Sequence, residues 1–156
     1  PQLPASITVD SLGSWTDFVG DEYKAFSGTA VYTTTINKVP VADVLKLNLG
    51  TVAENASVYL NGEYIGTVID SPYQLYIPAE KFKGQDELVV RVANSMANRI
   101  AYMDKKGVDW KIFYNVNMSA RKKENVKNGI FDASDWEPKS SGLLGPVTLT
   151  PAMVKQ

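Results

Sequence analysis

The stretch VYLNGEYIG, residues 58–66, decides how this chain is read. Val58 and Leu60 alternate with Tyr59, the pair Asn61-Gly62 follows, and a second β-favouring run resumes at Glu63. Two residues tolerant of positive φ between alternating runs favour a type I′ turn, so the stretch predicts a tight hairpin. The same period of two recurs on both sides. Leu45, Leu47 and Leu49 alternate with Lys46 and Asn48, Ala56 extends the Val58/Leu60 face, and Leu88, Val90 and Val92 alternate with Val89 and Arg91. Each run offers one apolar face to a core and one wetter face to the outside. TAVYTTTI, residues 29–36, has the β-branched and aromatic content that strands favour. Further strands are expected at 6–9, 73–77 and 146–150. Pro78 with the following AEKFKG reads as one helical turn that starts at the proline and ends at Gly84. Many short strands punctuated by turns predict an all-β sandwich or jelly roll, not a parallel α/β sheet.

At 156 residues the chain is long enough to bury a core of its own, and a single sandwich domain over 1–156 is expected. Sixteen basic against seventeen acidic residues give a net charge of -1, so charge supplies no case for nucleic acid or an anionic membrane as a partner. The run Arg121-Lys122-Lys123 is followed at once by Glu124 and reads as a solvated loop. Cysteine and histidine are both absent, which excludes disulfides, thiolate or imidazole metal sites, and Ser-His-Asp or Cys-His catalysis. Any chemistry would fall to carboxylates, Tyr, Lys or a metal held by oxygen. No apolar run approaches the roughly 18 residues that a membrane helix requires. The opening Pro1-Gln2-Leu3-Pro4 has no signal-peptide pattern, and so abrupt a start suggests a fragment or a processed form.

Residues 94–144 break the alternation. So long an irregular insertion in a compact domain is usually functional or covered by another surface. Within it Trp110, Phe113, Tyr114 and Trp136 stand among Asn, Lys and Asp, with Tyr102 nearby. Flat rings can stack on the C–H faces of sugars while polar neighbours bind hydroxyls. They equally pack on a sandwich or against another protein, and both readings stay open. Asn98 and Arg99 are either sugar-hydroxyl partners or braces of the long loop, and Asn94 at the end of a strand suits loose backbone groups. Asp104, Asp109, Asp132, Asp135 and Glu137 are candidates for carboxylate chemistry, but DASDW reads first as local turn chemistry. Trp15 is expected in the core or covering an edge. Tyr59 points away from the Val58/Leu60 face. Gly142 and Gly145-Pro146 read as turns into the last strand.

Three stretches together resemble a known family. FSGTAVYTTT (26–35) and VYLNGEYIGTVIDSPYQLYIP (58–78), continuing to ELVVRVAN (87–94), resemble the sugar-binding-type sandwich of family 2 glycoside hydrolases. VANSMANRI (92–100), GVDW (107–110), DASDWEP (132–138) and SGLLGPVTL (141–149) resemble more narrowly the C-terminal domain of family 106 α-L-rhamnosidases, especially the long forms of Bacteroidetes. The resemblance implies a galactose-binding-like jelly-roll β-sandwich beside a catalytic barrel. In that family the catalytic carboxylates and their calcium belong to the barrel, so no position here inherits a catalytic role. The implied function is a non-catalytic, carbohydrate-associated accessory domain of a polysaccharide-degrading enzyme, one that either braces that enzyme or binds sugar. Its candidate sugar contacts are Trp110, Tyr114, Trp136, Asn98 and Arg99. The alternative is a stand-alone carbohydrate-binding module for plant or microbial polysaccharide; a small carboxylate- or Tyr-based enzyme is a third class. Such jelly rolls often carry one structural calcium, to which no position is assigned here. The implied setting is periplasmic, cell-surface or secreted.

Overall fold

The structure, a computed structural model, describes residues 2–112 and 122–153. The chain divides into two compact units, one drawn from residues 7–14, 28–94 and 140 onward, the other from 1–6, 15–27 and 95–139.

The first unit holds the sandwich. Its strands are Thr29–Ile36 (β1), Val44–Asn48 (β2), Thr51–Ala53 (β3), Asn55–Leu60 (β4), Glu63–Val68 (β5), Gln74–Pro78 (β6) and Asp86–Ala93 (β7). Two more, Gly142–Gly145 (β10) and Thr148–Pro151 (β11), come later in the chain than the short Val126–Lys127 (β8) and Ile130–Phe131 (β9) of the other unit. An antiparallel four-stranded sheet runs in the order β1-β7-β4-β5, a three-stranded sheet in the order β11-β2-β6, and β10 pairs with β3. The expected parity holds: Leu45, Leu47 and Leu49 are 0%, 1% and 0% exposed, and Val58, Val90 and Val92 lie equally deep. The apolar cluster unites Leu47 and Ile77 from the three-stranded sheet, and Leu49 just past β2, with Val58, Leu60, Leu88 and Val90 from the four-stranded one. It is the core between two sheets.

Asn61 and Gly62 form the β4–β5 turn with φ of 51° and 81°, as their sequence predicts. Asn61 has a second task. Its side-chain amide donates to Asp86 Oδ1 at 2.7 Å and accepts from the Glu87 N–H at 2.9 Å, which fixes the hairpin to the start of β7. Asp86, 0% exposed, also accepts from the Lys83 and Gly84 N–H groups. Burial works against its charge, but Asn61 and these backbone donors together hold the carboxyl below its ordinary range.

Three local expectations need correction. Residues 6–9 form no strand: Ile7 and Val9 alternate, but they are 51% and 41% exposed. The last strand begins at Thr148, not Pro146, because the Gly145–Pro146 peptide is cis and still belongs to the turn. The turn after Pro78 is a short 3-10 helix, Ala79–Lys81, with Pro78 at its cap.

The second unit contains Asp21–Lys24 (α1), Ala97–Lys105 (α2), Val126–Lys127 (β8) and Ile130–Phe131 (β9). The stretch expected to be a loop therefore holds a nine-residue helix. Its C-terminus closes with the Val108 N–H on Met103 O and the Gly107 N–H on Asp104 O, with Gly107 at φ 66°. This is a Schellman closure, which calls for glycine at that point. Trp15, 5% exposed, meets Phe26 edge-on with ring centres 5.4 Å apart. Its indole N–H has no hydrogen-bond partner among the described residues. No helix among the described residues is long and apolar enough to cross a membrane.

Candidate functional site

Helix α2 supplies the anchor. Ala97, Ile100 and Ala101 fall on one helical stripe at spacings of three and four, and Asp104 continues that stripe. A carboxylate buried from solvent needs partners, and this one has three. Asp104 Oδ1 accepts from Trp110 Nε1 at 2.7 Å and pairs with Lys111 Nζ at 2.8 Å; Oδ2 accepts from the Ala133 N–H at 2.8 Å. The Asp104 side chain is 1% exposed. One carboxylate thus joins the helix, the segment after it and the DASDW segment.

Trp136 is held in the same manner. Its Nε1 donates to Asn125 Oδ1 at 2.9 Å, and its ring meets Phe131 edge-on with centres 5.8 Å apart. Beneath it lies a second Asn-Gly hairpin, in which Asn128 and Gly129 take φ of 53° and 77° between β8 and β9. Asp132 accepts from both the N–H and the hydroxyl of Ser134, the turn chemistry that the sequence suggests. The Ser134 hydroxyl bond, joined by Lys127, holds the Asp132 carboxyl below its ordinary range despite partial burial. Lys127 also pairs with Asp135 at 3.0 Å.

Among the expected site residues, Trp110, Trp136 and Asn98 each have side-chain polar atoms bonded within the protein. Trp110 and Trp136 are each half-buried with the indole N–H committed to a neighbouring side chain. Asn98 is buried, and its amide makes a reciprocal pair with the Lys139 backbone, 2.8 Å in each direction. That geometry braces the chain. Arg99, next to it on α2, is half-buried. Tyr114 and Phe113 lie outside the described residues. Asn94 accepts from the Gly28 N–H and donates to Ser141 Oγ, as a strand-end amide should. Asp109 and Glu137 are exposed. The sequence reading missed the Asn128-Gly129 hairpin, although its signal is the same as at Asn61-Gly62. It also missed Asp104 as the point where the segment is tied together.

A calcium ion needs roughly six to eight oxygen ligands. Among the described residues no three Asp or Glu side chains gather as a ligand set. Asp132 and Asp135 converge on the Lys127 ammonium, Asp104 is closed by Lys111, and Asp86 by its N–H donors. These carboxylates do not fit a calcium ion.

No family model matches the chain. Over 92% of its length it is 33% identical to the "Putative beta-glucuronidase" of Formosa agariphila, of which it covers 14%. It superposes on the rhamnosidase from Novosphingobium sp. PP1Y with a TM-score of 0.75 and 30% identity, covering 94% of this chain and 13% of that one. The chain is a glycoside-hydrolase-related β-sandwich domain. A likeness to a rhamnosidase is thus found over 94% of the chain. The chain spans only about a seventh of the length of either relative. A GH2 beta-galacturonidase from Eisenbergiella tayi overlaps 58% of this chain with 16% of its own, at 21% identity and a TM-score of 0.48.

Proposed function

We propose that this chain is a non-catalytic accessory domain of a larger, rhamnosidase-like glycoside hydrolase, with a catalytic domain as its principal partner. The observation that carries the reading is the superposition of 94% of the chain on 13% of the Novosphingobium rhamnosidase. A piece of that size, without histidine or cysteine, has few means of catalysis. Among the described residues its clustered carboxylates are bonded to lysine, tryptophan or backbone donors, which favours a structural role for them. The same kinship supports a periplasmic, cell-surface or secreted setting.

In this reading Trp110 and Trp136 are braces. The stand-alone carbohydrate-binding module is a second reading, in which Trp110, Tyr114, Trp136, Asn98 and Arg99 contact polysaccharide. It is favoured by the half-exposure of both tryptophan rings. Calorimetry with rhamnogalacturonan and other rhamnose- and galactose-containing polysaccharides separates the two. Trp110→Phe and Trp136→Phe should lower the melting temperature and leave any glycan affinity unchanged. Saturable binding lost in variants that still fold would favour the second reading.

A further inference from the structure

The outer face of the four-stranded sheet carries an arrangement that core packing does not require. Strand parity turns Ser57 and Tyr59 of β4 away from the buried Ala56, Val58 and Leu60. In register, Val31, Arg91, Ser57 and Thr67 form one row across the four strands, and Thr33, Val89, Tyr59 and Tyr64 form the next. Arg91 is the sole charged side chain in these two rows. It is exposed and makes no ion pair with any described residue.

The aromatic part is held in place. Tyr64, 55% exposed, leans on Tyr59 with ring centres 5.5 Å apart and planes at 60°. The Arg91 guanidinium lies 4.9 Å from the centre of the Tyr59 ring. This cation–π contact orients the planar fork of donors without neutralising its charge. Ser57 Oγ lies 2.7 Å from Thr67 Oγ1, which lies 2.9 Å from the Tyr64 hydroxyl. The face thus combines an exposed ring, a line of hydroxyls and an unpaired guanidinium.

Each part selects one feature of a ligand. An exposed tyrosine stacks on the C–H face of a pyranose, and hydroxyls exchange hydrogen bonds with sugar hydroxyls. A guanidinium without an ion pair recognises a carboxylate in bidentate fashion, and the acidic side chain nearest in this register, Glu87, is four residues from Arg91 along β7. The tilt between the two rings denies a flat platform to a crystalline polymer and suits a single chain. We propose that this face binds an acidic glycan, with a uronate ring stacked on Tyr64 and its carboxylate held by Arg91. This goes beyond the accessory-domain reading, because a domain that only braces its enzyme needs no glycan here, and a glycan-binding domain is non-catalytic all the same.

Calorimetry on the whole chain tests it, with oligogalacturonate, oligoglucuronate and oligomannuronate, each as the free acid and as the methyl ester. At least one free acid should bind saturably, and its methyl ester about tenfold more weakly or worse. Arg91→Gln should remove that preference for the acid, and Tyr64→Ala should weaken binding about tenfold while the melting temperature stays close to wild type. Amide chemical shifts of the wild-type protein locate the ligand without any substitution, and should move at Ser57, Tyr64, Thr67 and Arg91. Failure of all three acids to bind, equal binding of acid and ester, or shifts confined to other residues would each overturn the proposal.

Discussion

Trp110 donates its indole N–H to Asp104 Oδ1 at 2.7 Å, and the carboxylate it reaches is 1% exposed. The ring's single polar atom is therefore spent inside the protein. Lys111 and the Ala133 N–H complete the set, so Asp104 compensates its burial three times over. A buried charge so satisfied fixes geometry more than it adds stability, and removing one partner exposes the cost of the rest.

Asp104→Asn should destabilise the protein by about 3 kcal/mol, because Lys111 keeps its charge and loses its counter-ion. Trp110→Phe, which retains the ring and removes one hydrogen bond, should cost about 1–2 kcal/mol. Urea unfolding measures both. A neutral Trp110→Phe would mean that the indole is not a brace and would return the ring to the list of ligand contacts.

Asn98→Ala should cost about 2 kcal/mol, since both halves of the Lys139 backbone pair are lost at a buried position. Hydrogen exchange at the Lys139 amide should accelerate in the variant. An unchanged rate there would show that other contacts hold residues 95–139.

The hairpin of β4 and β5 was legible because two independent signals agree at residues 58–66, the period of two and the Asn-Gly turn. The buried faces of Leu45/Leu47, Val58/Leu60 and Val90/Val92 followed from parity alone. Residues 6–9 show the limit of that signal: Ile7 and Val9 alternate, yet periodicity supplies no pairing partner, and no strand forms. Helix α2 was hidden because 94–144 was read against the strand period, while Ala97, Ile100 and Ala101 follow the helical one. Asp104 stands in the sequence as one candidate carboxylate among several, and its place as the tie cannot be read there. Trp110 and Lys111 lie close to it in the chain, but Ala133 is 29 residues away, and only the fold brings the three together.

Gly50 and Gly62 both have positive φ, 67° and 81°, yet should differ sharply on substitution. A Cβ at Gly50 would stand 2.3 Å from the carbonyl carbon of Gly145, whereas among the described residues, its own chain neighbours apart, nothing lies within 4 Å of one at Gly62. Gly62→Ala should cost about 1 kcal/mol of backbone strain. Gly50→Ala adds a backbone clash and should cost well beyond that, about 3 kcal/mol or more. Equal melting temperatures for the two variants would refute the close approach of these strands.

Asp86 gives the acid limb of stability its shape. Its folded-state carboxyl is held below the unfolded value, so the folded protein gives up this charge less readily than the unfolded chain. Its contribution is fully present above the ordinary aspartate value of about 4 and is lost as pH falls through the lower folded value. Asp86→Asn should flatten that part of the pH–stability curve and lower the plateau above it. A variant curve parallel to wild type through the acid range would remove Asp86 from the explanation.

Turnover by the isolated, folded chain is the decisive quantity for a non-catalytic domain. Aryl α-rhamnoside, aryl β-glucuronide and aryl β-galacturonide should release no aryl alcohol above the buffer rate at any pH where the chain stays folded. Release that rises with protein concentration, and disappears when Asp104, Asp132 or Asp135 is changed to Asn in a variant that still folds, would make the chain an enzyme and end the accessory-domain reading.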